Sequence, residues 1–143
     1  MIDFYGMTLS IPGYRAGTTL RADAAGLVLR AEQTSNGRAV ELRLIAPRLA
    51  SSPGFRERLL REANRAGSFH HPNLLPPYEV GEHEGVLVLA TRAINAASLE
   101  RVVSHQGPLP PQRVAAILRQ VGAGLDSAHG RGLVHRDLNP ATS

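Results

Sequence analysis

The sequence predicts an α+β fold, a five-stranded antiparallel sheet with one helix followed by a helical section. Three observations predict it. Up to residue 45 short strand-like runs lie between turn signals, the last of them, 39–45, alternating. One charged amphipathic segment and two further apolar runs follow. Beyond residue 98 the apolar residues recur at helical spacing. At 143 residues the chain is long enough for one domain with a real core.

Taken in order, residues 1–13 read as a loose lead-in ending at Pro12-Gly13. Residues 14–20 read as a first strand, and residues 26–31, with Leu27-Val28-Leu29, as a second. Residues 39–45 form the third, with Val40, Leu42 and Leu44 on one face and Glu41, Arg43 and Ile45 on the other. Asn36-Gly37 just before it is a strong hairpin signal. Ala46-Pro47 and Ser51-Ser52-Pro53 supply a helix start. Phe55, Leu59, Leu60, Ala63 and Ala66 then mark an apolar helix face, with Gly67 as its stop.

Residues 74–80 and 86–90 read as two more strands joined by Gly81-Glu82-His83-Glu84-Gly85. Ser98 caps a short helix over Leu99, Val102 and Val103. Gly107-Pro108-Leu109-Pro110-Pro111 breaks the chain. Val114, Ile117, Leu118, Val121, Leu125 and Ala128 mark a longer helix that Gly130 or Gly132 ends.

Composition narrows the function classes. Hydrophobic residues make up 43% and charged residues 20%, as in a soluble globular protein. The absence of cysteine removes disulfides, thiolate metal sites and cysteine nucleophiles. The N-terminus lacks a signal-peptide pattern, and the run Val86-Leu87-Val88-Leu89-Ala90 is too short to span a bilayer. These features lead to an expectation of a soluble, cytoplasmic protein. The formal charge is +4, and all 16 basic residues are arginine. A basic nucleic-acid-binding domain is the reading this charge raises, but the arginines are scattered among acids and aromatic residues are sparse. His70, His71, His83, His105 and His129 show no metal-ligand spacing.

Near the C-terminus stands Leu133-Val134-His135-Arg136-Asp137-Leu138. Together with the element order, His71-Pro72-Asn73-Leu74, the Pro-rich lead-in at 107–111 and Glu62 on the first long helix, it resembles a bacterial eukaryotic-like Ser/Thr protein kinase domain. The resemblance runs from about Tyr14 onward. It implies a kinase-like N-lobe and hinge over residues 14–94 and a partial C-lobe over 95–143. It also implies ATP and magnesium as the family's cofactors.

The resemblance assigns positions to the parts of a nucleotide site. Aligning on Gly26 and Val28 puts Arg21 and Asp23 at the first two positions of the glycine-rich phosphate loop. A simple hairpin turn is the better reading of that loop, because glycines let backbone amides approach phosphates and an aspartate adds negative charge. Glu41 takes the alanine position that roofs adenine, and Arg43 takes the strand lysine position. A carboxylate in an apolar slot must be desolvated or block it. Arginine is not interchangeable with lysine there, and an ion pair of Arg43 with Glu62 or Glu41 is favoured over a phosphate contact. Thr91 stands at the gatekeeper position and Arg92-Ala93-Ile94 at the hinge. Asp137 matches the proton-accepting aspartate of the catalytic loop. Asn139 replaces its lysine and Thr142 its magnesium-binding asparagine, so no metal ligand is assigned, and the family's Asp-Phe-Gly would lie beyond Ser143.

These departures favour a degenerate, truncated kinase-like protein that does not transfer phosphate and acts, if at all, through a protein partner such as another kinase. An active ATP-dependent Ser/Thr kinase is the alternative, and nucleic-acid binding ranks third. The apolar face over residues 114–128 lacks its usual C-lobe partners, which predicts self-association.

Overall fold

The computed structural model describes residues 1–67, 70–75, 77–133 and 138. Its element order is β1 (Ile2–Phe4), β2 (Met7–Leu9), β3 (Tyr14–Asp23), β4 (Gly26–Gln33), β5 (Arg38–Ile45), α1 (Pro47–Ala50), α2 (Phe55–Gly67), β6 (Pro77–His83), β7 (Val86–Arg92), α3 (Leu99–Gln106) and α4 (Pro111–His129). The chain divides into two compact units. The first holds all seven strands with α1 and α2, and the second holds α3 and α4 with residues 70–75.

In the first unit, β3 to β7 form the expected five-stranded antiparallel sheet, in the order β3-β4-β5-β7-β6. The β4–β5 hairpin closes as its sequence requires. Gly37 adopts φ +68°, its N–H donates to the Gln33 carbonyl at 2.8 Å, and Asn36 Oδ1 accepts from Arg38 N at 2.9 Å. The alternation on β5 sorts its side chains as expected, so Val40, Leu42 and Leu44 are buried on the outer face with Leu29, Ala31, Val86, Val88 and Ala90.

Residues 1–13 are not a loose lead-in. β1 and β2 form a separate two-stranded hairpin with Ile2 paired to Leu9 and Phe4 to Met7. Ile2, Phe4, Leu9 and Ile11 are only 6%, 2%, 1% and 7% exposed and belong to the same apolar cluster as the outer face of the sheet. The hairpin was hidden by its turn. Tyr5 and Gly6 both take positive φ (51° and 76°), the geometry of a tight two-residue turn, and tyrosine is not a residue that announces one.

The same device corrects the β6–β7 connection. β6 runs to His83 and the turn is only Glu84-Gly85, with φ 49° and 80°. β6 also starts later than residue 74, because Leu74 packs against Gly124 of α4 instead of joining the sheet. α2 runs beside β6, with Ala63 buried and Arg56 in an ion pair with Glu82.

The second unit is built on α4. Asn73 Nδ2 donates to the Gln120 carbonyl at 2.9 Å, and Asn73 N donates to His71 Nδ1 at 3.1 Å. The His71-Pro72-Asn73-Leu74 segment therefore works as a clasp on the long helix. Ser98 caps α3 as expected, its Oγ accepting from Arg101 N at 3.3 Å, and Gly107 at φ +75° ends it. Gly124 and Ala128 are the buried residues of α4, while Val114 and Leu118 remain exposed.

Candidate nucleotide site

The inner face of the sheet, opposite the outer core, carries the residues aligned with a nucleotide site. Cross-strand register arranges them in two rows. Arg21 on β3 faces Val28 on β4, Val28 faces Arg43 on β5, and Arg43 faces Leu89 on β7. In the next row Arg30 faces Glu41, and Glu41 faces Thr91. Glu41 and Arg43 thus share a face, as strand alternation requires.

The β3–β4 connection is a closed turn. Arg21 Nε lies 3.1 Å from Asp23 Oδ2, and Asp23 Oδ1 accepts from Ala25 N at 2.8 Å. Gly26 keeps its glycine for a packing reason: its φ is +142°, and a methyl group there would collide with the Leu44 carbonyl oxygen. The one glycine that matches the phosphate loop is therefore required by the approach of β5.

Arg43 is exposed as a residue, yet burial of its charged end pushes its pKa down from the usual guanidinium range. The Arg21 guanidinium pushes the same way, and Asp23 and Glu41 push back. Among the described residues Arg43 is not within ion-pair distance of Glu41, which acts on it through space. Glu41 is half-buried between Arg30 and Thr91, where the resemblance calls for a small apolar residue.

Glu62 is exposed on α2, next to buried Ala63. Thr91 and Arg92 end β7, where Arg92 pairs with Val40 and Ala93 N donates to the Ala39 carbonyl at 3.3 Å. Ile94 is exposed and belongs to the second unit. Asp137, Asn139 and Thr142 lie outside the described residues. No group of three metal-ligating side chains occurs among the described residues, and no described helix is long and apolar enough to cross a membrane.

A five-stranded antiparallel sheet with one long helix and a single-turn helix beside it, followed by a helical unit, is the architecture of a protein kinase domain from its N-lobe onward. The family model described as protein kinase domain matches residues 17–142. Serine/threonine-protein kinase PknE of Mycobacterium bovis is 41% identical over 127 residues, covering 89% of this chain and 22% of that protein. PknD of Mycobacterium tuberculosis is 41% identical over 115 residues, covering 80% of this chain and 17% of that protein. A crystal structure of the M. tuberculosis PknI kinase domain superposes with a TM-score of 0.86 at 32% identity, covering 93% of this chain and 54% of that one. This chain belongs to the protein kinase family, within its bacterial eukaryotic-like Ser/Thr branch. It spans about a fifth of the length of these curated relatives and about half of the solved kinase domain.

The family implies ATP and magnesium, and the described residues fit the phosphates poorly. The positions that the resemblance aligns with two of the three loop glycines hold Arg21 and Asp23, whose side chains are tied to each other, and Asp23 is anionic. In the family the hinge binds adenine through backbone groups, so the side chains at the aligned positions, Arg92, Ala93 and Ile94, neither favour nor oppose adenine.

Proposed function

We propose that this chain is a kinase-fold module that does not transfer phosphate and works by binding a protein partner, for which another kinase is a fitting candidate. The observation that carries this reading is the Arg21–Asp23 ion pair standing where two loop glycines would let backbone amides approach phosphates. Glu41 in the roof position and Arg43 in the lysine position support it. So do Asn139 and Thr142, which replace the catalytic-loop lysine and the magnesium-binding asparagine by alignment. Kinase catalysis rests on positioning and electrostatic stabilisation of the transferred phosphoryl group. Replacing several members of that set removes many kcal/mol of transition-state stabilisation, on the order of 3–4 for each key donor.

The test is γ-phosphate transfer from Mg-ATP to a generic protein substrate by the purified chain, beside Asp137→Ala. The expected outcome is no transfer above the Asp137→Ala control. Turnover at an ordinary kinase rate of about 1–100 s⁻¹, abolished by Asp137→Ala, would establish the active-kinase reading instead.

A further inference from the structure

The inner face of the sheet gathers donors that would suit an oxyanion. They are the Arg21 guanidinium, the Arg43 guanidinium and the backbone N–H of Ala25 in the β3–β4 turn. A pair of guanidiniums beside a free turn amide is the donor set that recognises phosphate oxygens. Here the Ala25 N–H and Arg21 are both engaged by the two oxygens of one carboxylate, at 2.8 Å and 3.1 Å. Arg43 stands one strand beyond Val28 in the same row and feels both Arg21 and Asp23.

We propose that the Asp23 carboxylate is an internal anion, holding two donors of this face, Arg21 and the Ala25 N–H, that would otherwise take a polyphosphate, and so competing with anionic ligands there. The inference rests on the proposed loss of phosphate transfer and adds a cause for it at the level of binding. Arg21 and Asp23 side chains are 47% and 46% exposed, so the pair is weak and can be displaced. The block is therefore one of competition. Asparagine at position 23 keeps the oxygen that accepts from Ala25 N while removing the charge, so the turn is preserved.

The experiment compares the wild-type chain, Asp23→Asn and the double variant Asp23→Asn/Arg43→Gln by titration calorimetry. The probes are sodium tripolyphosphate and ATP, both in EDTA so that no divalent cation takes part. Circular dichroism and the melting temperature confirm that all three are folded. The expected result is that Asp23→Asn binds tripolyphosphate about tenfold or more tightly than the wild type, and that Arg43→Gln removes the gain. Equal gains for tripolyphosphate and ATP identify a bare polyphosphate site, and a larger gain for ATP adds the adenosine part to the recognised ligand. A folded Asp23→Asn chain that binds neither probe more tightly overturns the proposal, as does a gain that survives Arg43→Gln. Phosphate transfer by the wild type at a kinase rate is a separate result, and it would overturn the proposed function whatever the titrations give.

Discussion

Tyr14 lies on the first edge strand of the sheet and Glu79 on the last, yet Tyr14 Oη donates to Glu79 Oε2 at 2.5 Å. The sheet must curl far enough to bring its two edges together on the outer side. Around that contact Ile11, Pro12, His83, Val88 and Ala90 line a cavity of about 170 Å³. Burial, the hydrogen bond to Glu79 and the negative charge of Glu79 all raise the Tyr14 pKa above that of a free phenol. A raised folded-state pKa contributes stability that is fully present below the unfolded value, about 10, and is lost as pH rises beyond it. Tyr14→Phe is expected to lower stability by about 1 kcal/mol at pH 7, discounted for the solvent access of the pair. It should also flatten the decline that sets in above about pH 10. Urea unfolding at those pH values checks both, and a decline as steep as the wild type's would refute the role given to Tyr14. None of this was legible in the sequence, because the partners are 65 positions apart. Glu41 and Arg43 were placed on one face correctly, since strand alternation is a local rule. What Asp23 does with its two oxygens is set by the folded shape of the turn, which no local rule supplies.

At the scale of elements, the hairpin β1–β2 is the largest departure from expectation. Together with Ile11, which follows it, it buries four large apolar side chains against the outer sheet face. At about 1.5–3 kcal/mol for each such side chain, these four contribute on the order of 6–12 kcal/mol, comparable with the whole stability of a domain. Removing residues 1–12 is expected to leave a chain that binds a hydrophobic dye and loses its cooperative melt. A deletion variant with unchanged melting temperature would show that the outer face does not need the cover. The elements marked by Asn36-Gly37 and Ser98 were legible because those residues have a local reason for their positions. The Tyr5-Gly6 and Glu84-Gly85 turns were missed or misplaced for the converse reason. Strand pairing on both sides forces a positive φ on a residue that does not prefer it. Leu74 misled in another way, since an apolar residue beside a strand was claimed by the long helix.

On the whole-molecule scale, the two units differ in how well they cover their own apolar surface. The first buries its apolar cluster between the outer sheet face and residues 2–11. In the second, Leu118 is 62% exposed and Val114 is exposed one turn before it. The helix spacing made this face legible in advance. The structure refines it, because the stripe at Gly124 and Ala128 is covered while the N-terminal part of α4 is not. The purified chain is expected to self-associate at micromolar concentration, and Leu118→Glu to weaken that association by roughly tenfold or more. Sedimentation velocity decides it, and a wild-type monomer across the concentration range would remove the expectation.

The match to the kinase family begins at residue 17, whereas the apolar core begins at residue 2. The stretch matched by the family model and the stretch that carries the apolar core of the first unit are therefore different. A fragment cut at the edge of the family resemblance would keep every inherited motif and strip a layer from the interior that supports them.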